Sequence, residues 1–192
     1  MADNVRRRPK IQAEMLVGVS AVIIGICALG VSLYEASLMR EEQRAAIMPL
    51  LELTRSHNLQ TDESSGEGPR LWLQAENVGI GPARVEDFRV TVDGAPQPTW
   101  DAAFRELIGH ESPISYGKTR INGRTVPPDR LVTMMKLNDG ELAEKLLAEF
   151  YWLDFEACFC SIFDECWKTS NSAFGAVTQV DSCRRSDSSF TE

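Results

Sequence analysis

Positive charge is what this chain is short of: 20 Lys and Arg stand against 28 Asp and Glu over 192 residues, a formal charge of -8. A surface that tracks phosphates needs the opposite balance, so no nucleic acid is expected as a partner. Histidine is scarce too. His57 and His110 lie far apart in polar segments, with no Ser or Cys near either in nucleophile-elbow context, so a histidine-based hydrolase is unsupported. The adjacent pair His110-Glu111 offers too few ligands to make a metal site. No Asn-x-Ser/Thr sequon occurs, which favours a bacterial envelope over a glycosylating secretory route. Charge of either sign is missing between Met15 and Tyr34.

That last absence sets the compartment. The 20 residues MLVGVSAVIIGICALGVSLY rise about 30 Å as a helix, the thickness of a bilayer core, and predict one transmembrane helix over 15–34. Ala28-Leu29-Gly30 has the form of a signal-cleavage site, but Val31, Leu33 and Tyr34 carry the apolar run past it, which favours an uncleaved anchor. Ile26 stands where a lipoprotein needs a small residue, so Cys27 reads as an apolar membrane residue. Arg6, Arg7, Arg8 and Lys10 precede the run, whereas the charges just after it sum to -1. By the positive-inside rule residues 1–14 are cytoplasmic and the rest, with 16 basic and 26 acidic residues, is expected in the periplasm of a bacterial inner-membrane protein. Gly18, Ala21, Gly25, Ala28 and Ser32 recur at spacings of three and four, a small-residue stripe of the kind that lets a second membrane helix approach. Small residues are common in such helices, so a membrane-helix contact and chance composition are both open.

Beyond the membrane, Glu35–Met48 contains neither Gly nor Pro and predicts a helical stalk of about 21 Å ending at Pro49. Residues 49–183 form the outer domain and 184–192 read as a flexible tail. MPLLELTR is a first strand and 56–68 a solvated loop. Leu71, Leu73 and Ala75 alternate with polar neighbours, as do Phe88, Val90 and Val92 up to the turn Asp93-Gly94, so two half-buried strands are expected. Between them runs Asn77-Val-Gly-Ile-Gly-Pro-Ala83. A phosphate cradle would want a third glycine where Arg84 stands and a helix afterwards, so the stretch is expected to be a tight connection in which Gly79 and Gly81 take positive φ and Pro82 ends the ladder.

The order of strand, Asn-x-Gly-x-Gly-Pro-Ala, strand closing on Val92-Asp-Gly, and Val126-Pro127-Pro128 before the strand Leu131–Leu137 resembles the immunoglobulin-like β-sandwich modules of bacterial cell-envelope proteins. The layout is similar to that of uncharacterised bacterial signal-anchored proteins with a small cysteine-paired outer domain. The resemblance covers roughly 49–137 and implies a fold, since its motifs are turn chemistry. Two helices are expected beside the strands. One is capped by Thr99, closed by Gly109 and apolar at Trp100, Ala103, Phe104, Leu107 and Ile108. The other starts at Asn138 or Asp139, with Glu141 placed for a capping box with Asn138 and Leu142, Leu146, Leu147 and Phe150 on one face. They pad the sandwich or line a groove.

In the next strand Tyr151, Leu153, Phe155, Ala157 and Phe159 share one parity, and the charges of Asp154 and Glu156 mark it as the inward one. Cys158 and Cys160 then emerge on the other face. With Cys166 and Cys183 they make an even outer set, expected as two disulfides where thiols are oxidised, although C-x-C…C also suits a soft metal. Two cysteines two apart on one strand diverge by nearly 7 Å, which disfavours Cys158–Cys160. The five-residue loop SIFDE favours Cys160–Cys166 with Cys158–Cys183, worth about 3 kcal/mol for the longer bridge; Cys158–Cys166 with Cys160–Cys183 stays open. Asp154 and Glu156 are the minimum carboxylate pair of a glycosidase, but no polar subsite accompanies them, so a solvent-facing or paired role is expected.

The reading is a mainly β protein: an N-terminal transmembrane helix with stalk, then an immunoglobulin-like β-sandwich with two short helices and two disulfides. It predicts a non-catalytic interaction module without cofactor or metal, working beside another inner-membrane or periplasmic protein or a second copy of itself. The alternative is a sensor for an envelope glycan or peptide in a groove lined by Trp72, Trp100 or Trp152, with a hydrolase third.

Overall fold

The structure is a computed structural model that describes residues 10–58, 70–109, 115–172, 176–184 and 190–192. Two units divide it, Met1–Ala45 and Ala46–Glu192. The first is dominated by α1 (Lys10–Ala46), whose apolar side chains from Met15 to Tyr34 are all exposed within the chain. Glu14–Arg44 is long and apolar enough to cross a membrane, as a single-pass anchor requires. The helix stops at Ala46, short of Met48, because Ile47–Leu50 are already tied into the outer unit. There the Val78 amide donates to the Leu50 carbonyl (2.9 Å) and the Ile80 and Gly81 amides to that of Met48 (3.2 and 3.3 Å). The helical extension Glu35–Ala46 is therefore about 18 Å rather than 21 Å.

The outer unit runs β1 (Leu51–Asn58), β2 (Arg70–Asn77), β3 (Ala83–Val92), β4 (Ala95–Gln97), α2 (Trp100–Ile108), β5 (Tyr116–Lys118), β6 (Thr125–Val126), β7 (Arg130–Leu137), α3 (Gly140–Glu149), a 3-10 turn (Phe150–Trp152), β8 (Leu153–Cys160), β9 (Cys166–Ser170) and β10 (Val177–Val180). Two antiparallel sheets result, ordered β1-β2-β7-β5 and β10-β9-β8-β3-β4, with β6 also paired to β3. Alternation decides which face each strand buries: Leu71, Leu73 and Ala75 from β2 share one core with Phe88, Val90 and Val92 from β3 and Leu153, Phe155, Ala157 and Phe159 from β8. A bulge in β3 lets Asp87 follow Val85 as the next partner of β8, so Val85 and Phe88 both point inward despite their odd spacing.

The α2 helix begins where Thr99 accepts from the Ala102 amide (3.2 Å) and ends at Gly109 in the left-handed region (φ 60°). α3 is capped by Asp139, which accepts from the Leu142 amide (3.1 Å), so the capping box proposed for Asn138 and Glu141 does not form. Tyr151 departs from the expected inward parity: the 3-10 turn precedes β8 and leaves Tyr151 95% exposed. Trp100 departs from the expected groove, since it is buried in the core against Phe88 and Phe104.

Of the expected flexible tail 184–192, residues 185–189 lie outside the described residues, and 190–192 are packed against the domain. Phe190 is 1% exposed, its ring 5.6 Å from Phe88 and 4.8 Å from Trp100. Its amide donates to the Phe88 carbonyl (3.3 Å) and its carbonyl accepts from the Asn122 side chain (2.6 Å). Glu192 accepts from the Trp100 amide (3.0 Å) and the Tyr116 hydroxyl (3.2 Å) and pairs with Lys118. One buried aromatic ring supplies the apolar area, and these bonds satisfy the backbone that it carries in.

Candidate functional site

Register places the starts of β1, β3, β7 and β9 and the ends of β2, β8 and β10 at one end of the outer unit, the end where the chain enters from α1. Gly79 and Gly81 close it, and neither has positive φ. Their requirement is space: a Cβ on Gly79 would lie 2.2 Å from the Leu50 nitrogen, and one on Gly81 would lie 1.8 Å from the Ile47 carbonyl oxygen. Asn77 completes this collar from full burial. Its side-chain oxygen accepts from the amides of Leu50 (3.2 Å) and Gly79 (3.1 Å), and its nitrogen donates to the carbonyls of Gly81 (2.8 Å) and Val126 (2.9 Å). Around the collar stand exposed apolar side chains: Met48, Val78, Ile80 (73% exposed), Leu131, and Ile162 and Phe163 in the β8–β9 loop. That loop is fastened to β3 by Arg84, which bonds Asp164 (2.7 Å) and Glu86; those bonds raise the guanidinium's pKa.

The cysteines occupy the same end. The structure joins Cys158 to Cys183 and Cys160 to Cys166. Cys158, Cys160 and Cys166 are buried, although Cys158 and Cys160 belong to the outer face of β8, because the segment carrying Cys183 covers them. The nonbonded sulfurs of Cys160 and Cys183 are 3.6 Å apart, and those of Cys160, Cys166 and Cys183 all lie within 4.8 Å of one another. Opposite Cys158 in the ladder is Asp87, 2% exposed; its Oδ2 accepts from Arg89 (2.6 Å), and its Oδ1 is buried without a hydrogen-bond partner among the described residues. Arg89 reaches on to the Arg184 carbonyl (3.3 Å), holding the covering segment down. A cavity of about 490 Å³ lies beside Cys166, lined also by Asp164, Glu165, Gln179, Val180 and Asp181.

No protein-family model and no curated protein matches this chain.

The three tryptophans proposed for a groove are not brought together. Trp72 lies on the outer side of β2 opposite Lys136 and Ser56, and Trp100 is in the core. Trp152, 55% exposed, lines a cavity of about 250 Å³ with Val92, Asp93, Glu106 and Leu107 at the far end. Asp154 is exposed and Glu156 pairs with Lys168 (3.2 Å) on the outer face of β8. Gly18, Ala21, Gly25, Ala28 and Ser32 are all exposed on α1, and nothing lies within 4 Å of a Cβ built on Gly18 or Gly25. His57 is exposed on β1, and His110-Glu111 lies outside the described residues. Sequence reasoning missed Asn77 as a junction, Asp87 and Phe190. Only Phe190 carries a visible signal, one aromatic in a run of Ser and Asp.

Proposed function

We propose that the protein is a single-pass, N-in anchor of the bacterial inner membrane that presents an immunoglobulin-like, non-catalytic interaction module to the periplasm, as an accessory subunit of an envelope complex. The observation that carries this reading is the set of exposed apolar side chains ringing the collar. Met48, Val78, Ile80, Leu131, Ile162 and Phe163 stand out from an end of the domain that is otherwise held by backbone bonds and disulfides. Apolar side chains grouped on a surface suit a protein partner better than a small polar ligand. The small-residue stripe of α1 supports the same conclusion, since close helix approach in lipid needs such a face. The resemblance to envelope immunoglobulin-like modules fits this role. The glycan- or peptide-sensor alternative rests on the far-end cavity at Trp152, which has one exposed aromatic wall and two carboxylates, Asp93 and Glu106.

Co-purification from detergent-solubilised membranes tests the proposal. Gly25→Leu and Ile80→Asp are each expected to reduce recovery of a partner protein or of a second, differently tagged copy several-fold, while Val22→Leu, off the stripe, leaves it unchanged. Equal recovery in all three variants rejects both surfaces as interfaces.

A further inference from the structure

We propose that the two disulfides form one thiol–disulfide exchange site, in which two electrons from an external dithiol relocate the bridge of Cys183 from Cys158 to Cys160. Three observations carry this. Cys183 is the one cysteine of the four that is not buried, so an incoming thiolate meets it first. Its sulfur lies 3.6 Å from that of Cys160, in van der Waals contact with a second disulfide. Forming a bond there closes about 1.5 Å, within the reach of side-chain rotation. The third is Asp87, whose buried Oδ1 has no hydrogen-bond donor among the described residues, with the oxidised Cys158 directly across the ladder from it. A reduced Cys158 carries an S–H and supplies that donor, so reduction at this position satisfies a polar group that oxidation leaves orphaned.

The steps balance. One thiolate of the dithiol attacks Cys183, forming a mixed disulfide and expelling the Cys158 thiolate, which is protonated to the thiol beside Asp87. The second thiolate of the dithiol attacks its own sulfur in the mixed disulfide, closing the oxidised dithiol and releasing the Cys183 thiolate. That thiolate attacks Cys160, forms the Cys160–Cys183 bond and expels Cys166, which takes the second proton. Two electrons and two protons have passed from the dithiol to Cys158 and Cys166, and one disulfide remains. The freed Cys166 borders the cavity lined by Asp164, Glu165 and Asp181, so the hairpin that it closed can open there while the covering segment stays tethered.

The test uses the full chain in detergent micelles, equilibrated at rising ratios of reduced to oxidised dithiothreitol, trapped with N-ethylmaleimide and mapped by mass spectrometry. The expected intermediate has Cys158 and Cys166 labelled, together with the membrane residue Cys27, and the peptides of Cys160 and Cys183 joined. A two-thiol species that retains either original bridge overturns the proposal, and so does direct passage to four outer thiols. The double variant C158S/C166S isolates the product: Cys160 and Cys183 should be joined after air oxidation, and a protein with native near-UV circular dichroism but both thiols free rejects the relocation. If that variant does not fold, trapping of the wild type still decides. Asp87→Ala should raise the reductant ratio at half-formation of the intermediate roughly 2- to 10-fold. An unchanged ratio removes Asp87 from the site and, with it, the argument for a favoured reduced state.

Discussion

The two ends of the outer domain are built by different means. At the end next to α1, backbone packs on backbone: Gly79 and Gly81 lie against Ile47–Leu50, Asn77 bonds four main-chain groups, and two disulfides tie β8 to its neighbours. Much of that end's apolar surface points outward. The far half instead buries most of its large apolar side chains, with Trp100, Phe104 and Phe190 around Phe88, Leu142 and Leu146 from α3, and Phe150 beneath, and leaves only Tyr151 and Trp152 of its described aromatics exposed. A region held by close geometry and covalent bonds does not need its apolar side chains for stability, and can leave them available to another molecule. A region held by burial has fewer to spare.

Substitutions at the two ends should therefore fail differently, and urea titration followed by fluorescence of the four tryptophans, all in the outer domain, can read both. The largest loss is expected at the collar. Gly81→Ala puts a Cβ into the Ile47 carbonyl, a collision with backbone that no rotamer relieves, and should cost on the order of 4 kcal/mol or more. A loss under about 1 kcal/mol would show that the collar gives way easily and would dissolve the contrast. Next comes Phe190→Ala, which empties a buried aromatic site and should cost about 3–5 kcal/mol; a wild-type midpoint would mean that these residues are the free tail their polarity suggests.

The smallest effect belongs to Glu192. Burial pulls its carboxyl upward, but the bonds from Lys118, the Trp100 amide and the Tyr116 hydroxyl outweigh that and hold it below the ordinary carboxylate range. The same burial, with the carboxylates of Glu192 and Asp101, raises the Tyr116 phenol and keeps it neutral. A carboxyl depressed in the folded state adds stability above its unfolded value of about 4.3, lost as pH falls through the folded value. The stability advantage of wild type over Glu192→Gln should thus be constant from pH 7 to about 5 and shrink as the pH falls below that. A difference independent of pH would assign the residue's role to packing rather than charge.

Much of this architecture is legible in periodicity. The charge-free run of α1, the alternation in β2, β3 and β8, the turn at Asp93-Gly94 and the caps at Thr99 and Gly109 each follow from one residue's local chemistry. What stayed hidden depends on contacts distant in sequence. A glycine required by positive φ and one required by a neighbouring backbone look the same in sequence, and Gly79 and Gly81 are of the second kind. Tyr151 fits the parity of β8, and only the 3-10 turn removes it from the strand. Trp100 satisfies both a helix's apolar stripe and a list of ligand-binding aromatics, and burial alone separates the two. Asp87 lies beyond a bulge that alternation does not anticipate.

The collar also has a mechanical meaning. Tension that reaches Ala46 along the chain enters β1 through Ile47–Leu50, which are already bonded to the segment following β2. β1 runs antiparallel to β2 in unbroken register from Leu51–Asn77 to Asn58–Arg70, so a pull along the strand loads these rungs in shear, all at once, instead of peeling them one by one. Force entering at Ile47–Leu50 is thus shared among all the rungs of the β1–β2 ladder and moves the sheet as one body before any single rung gives way.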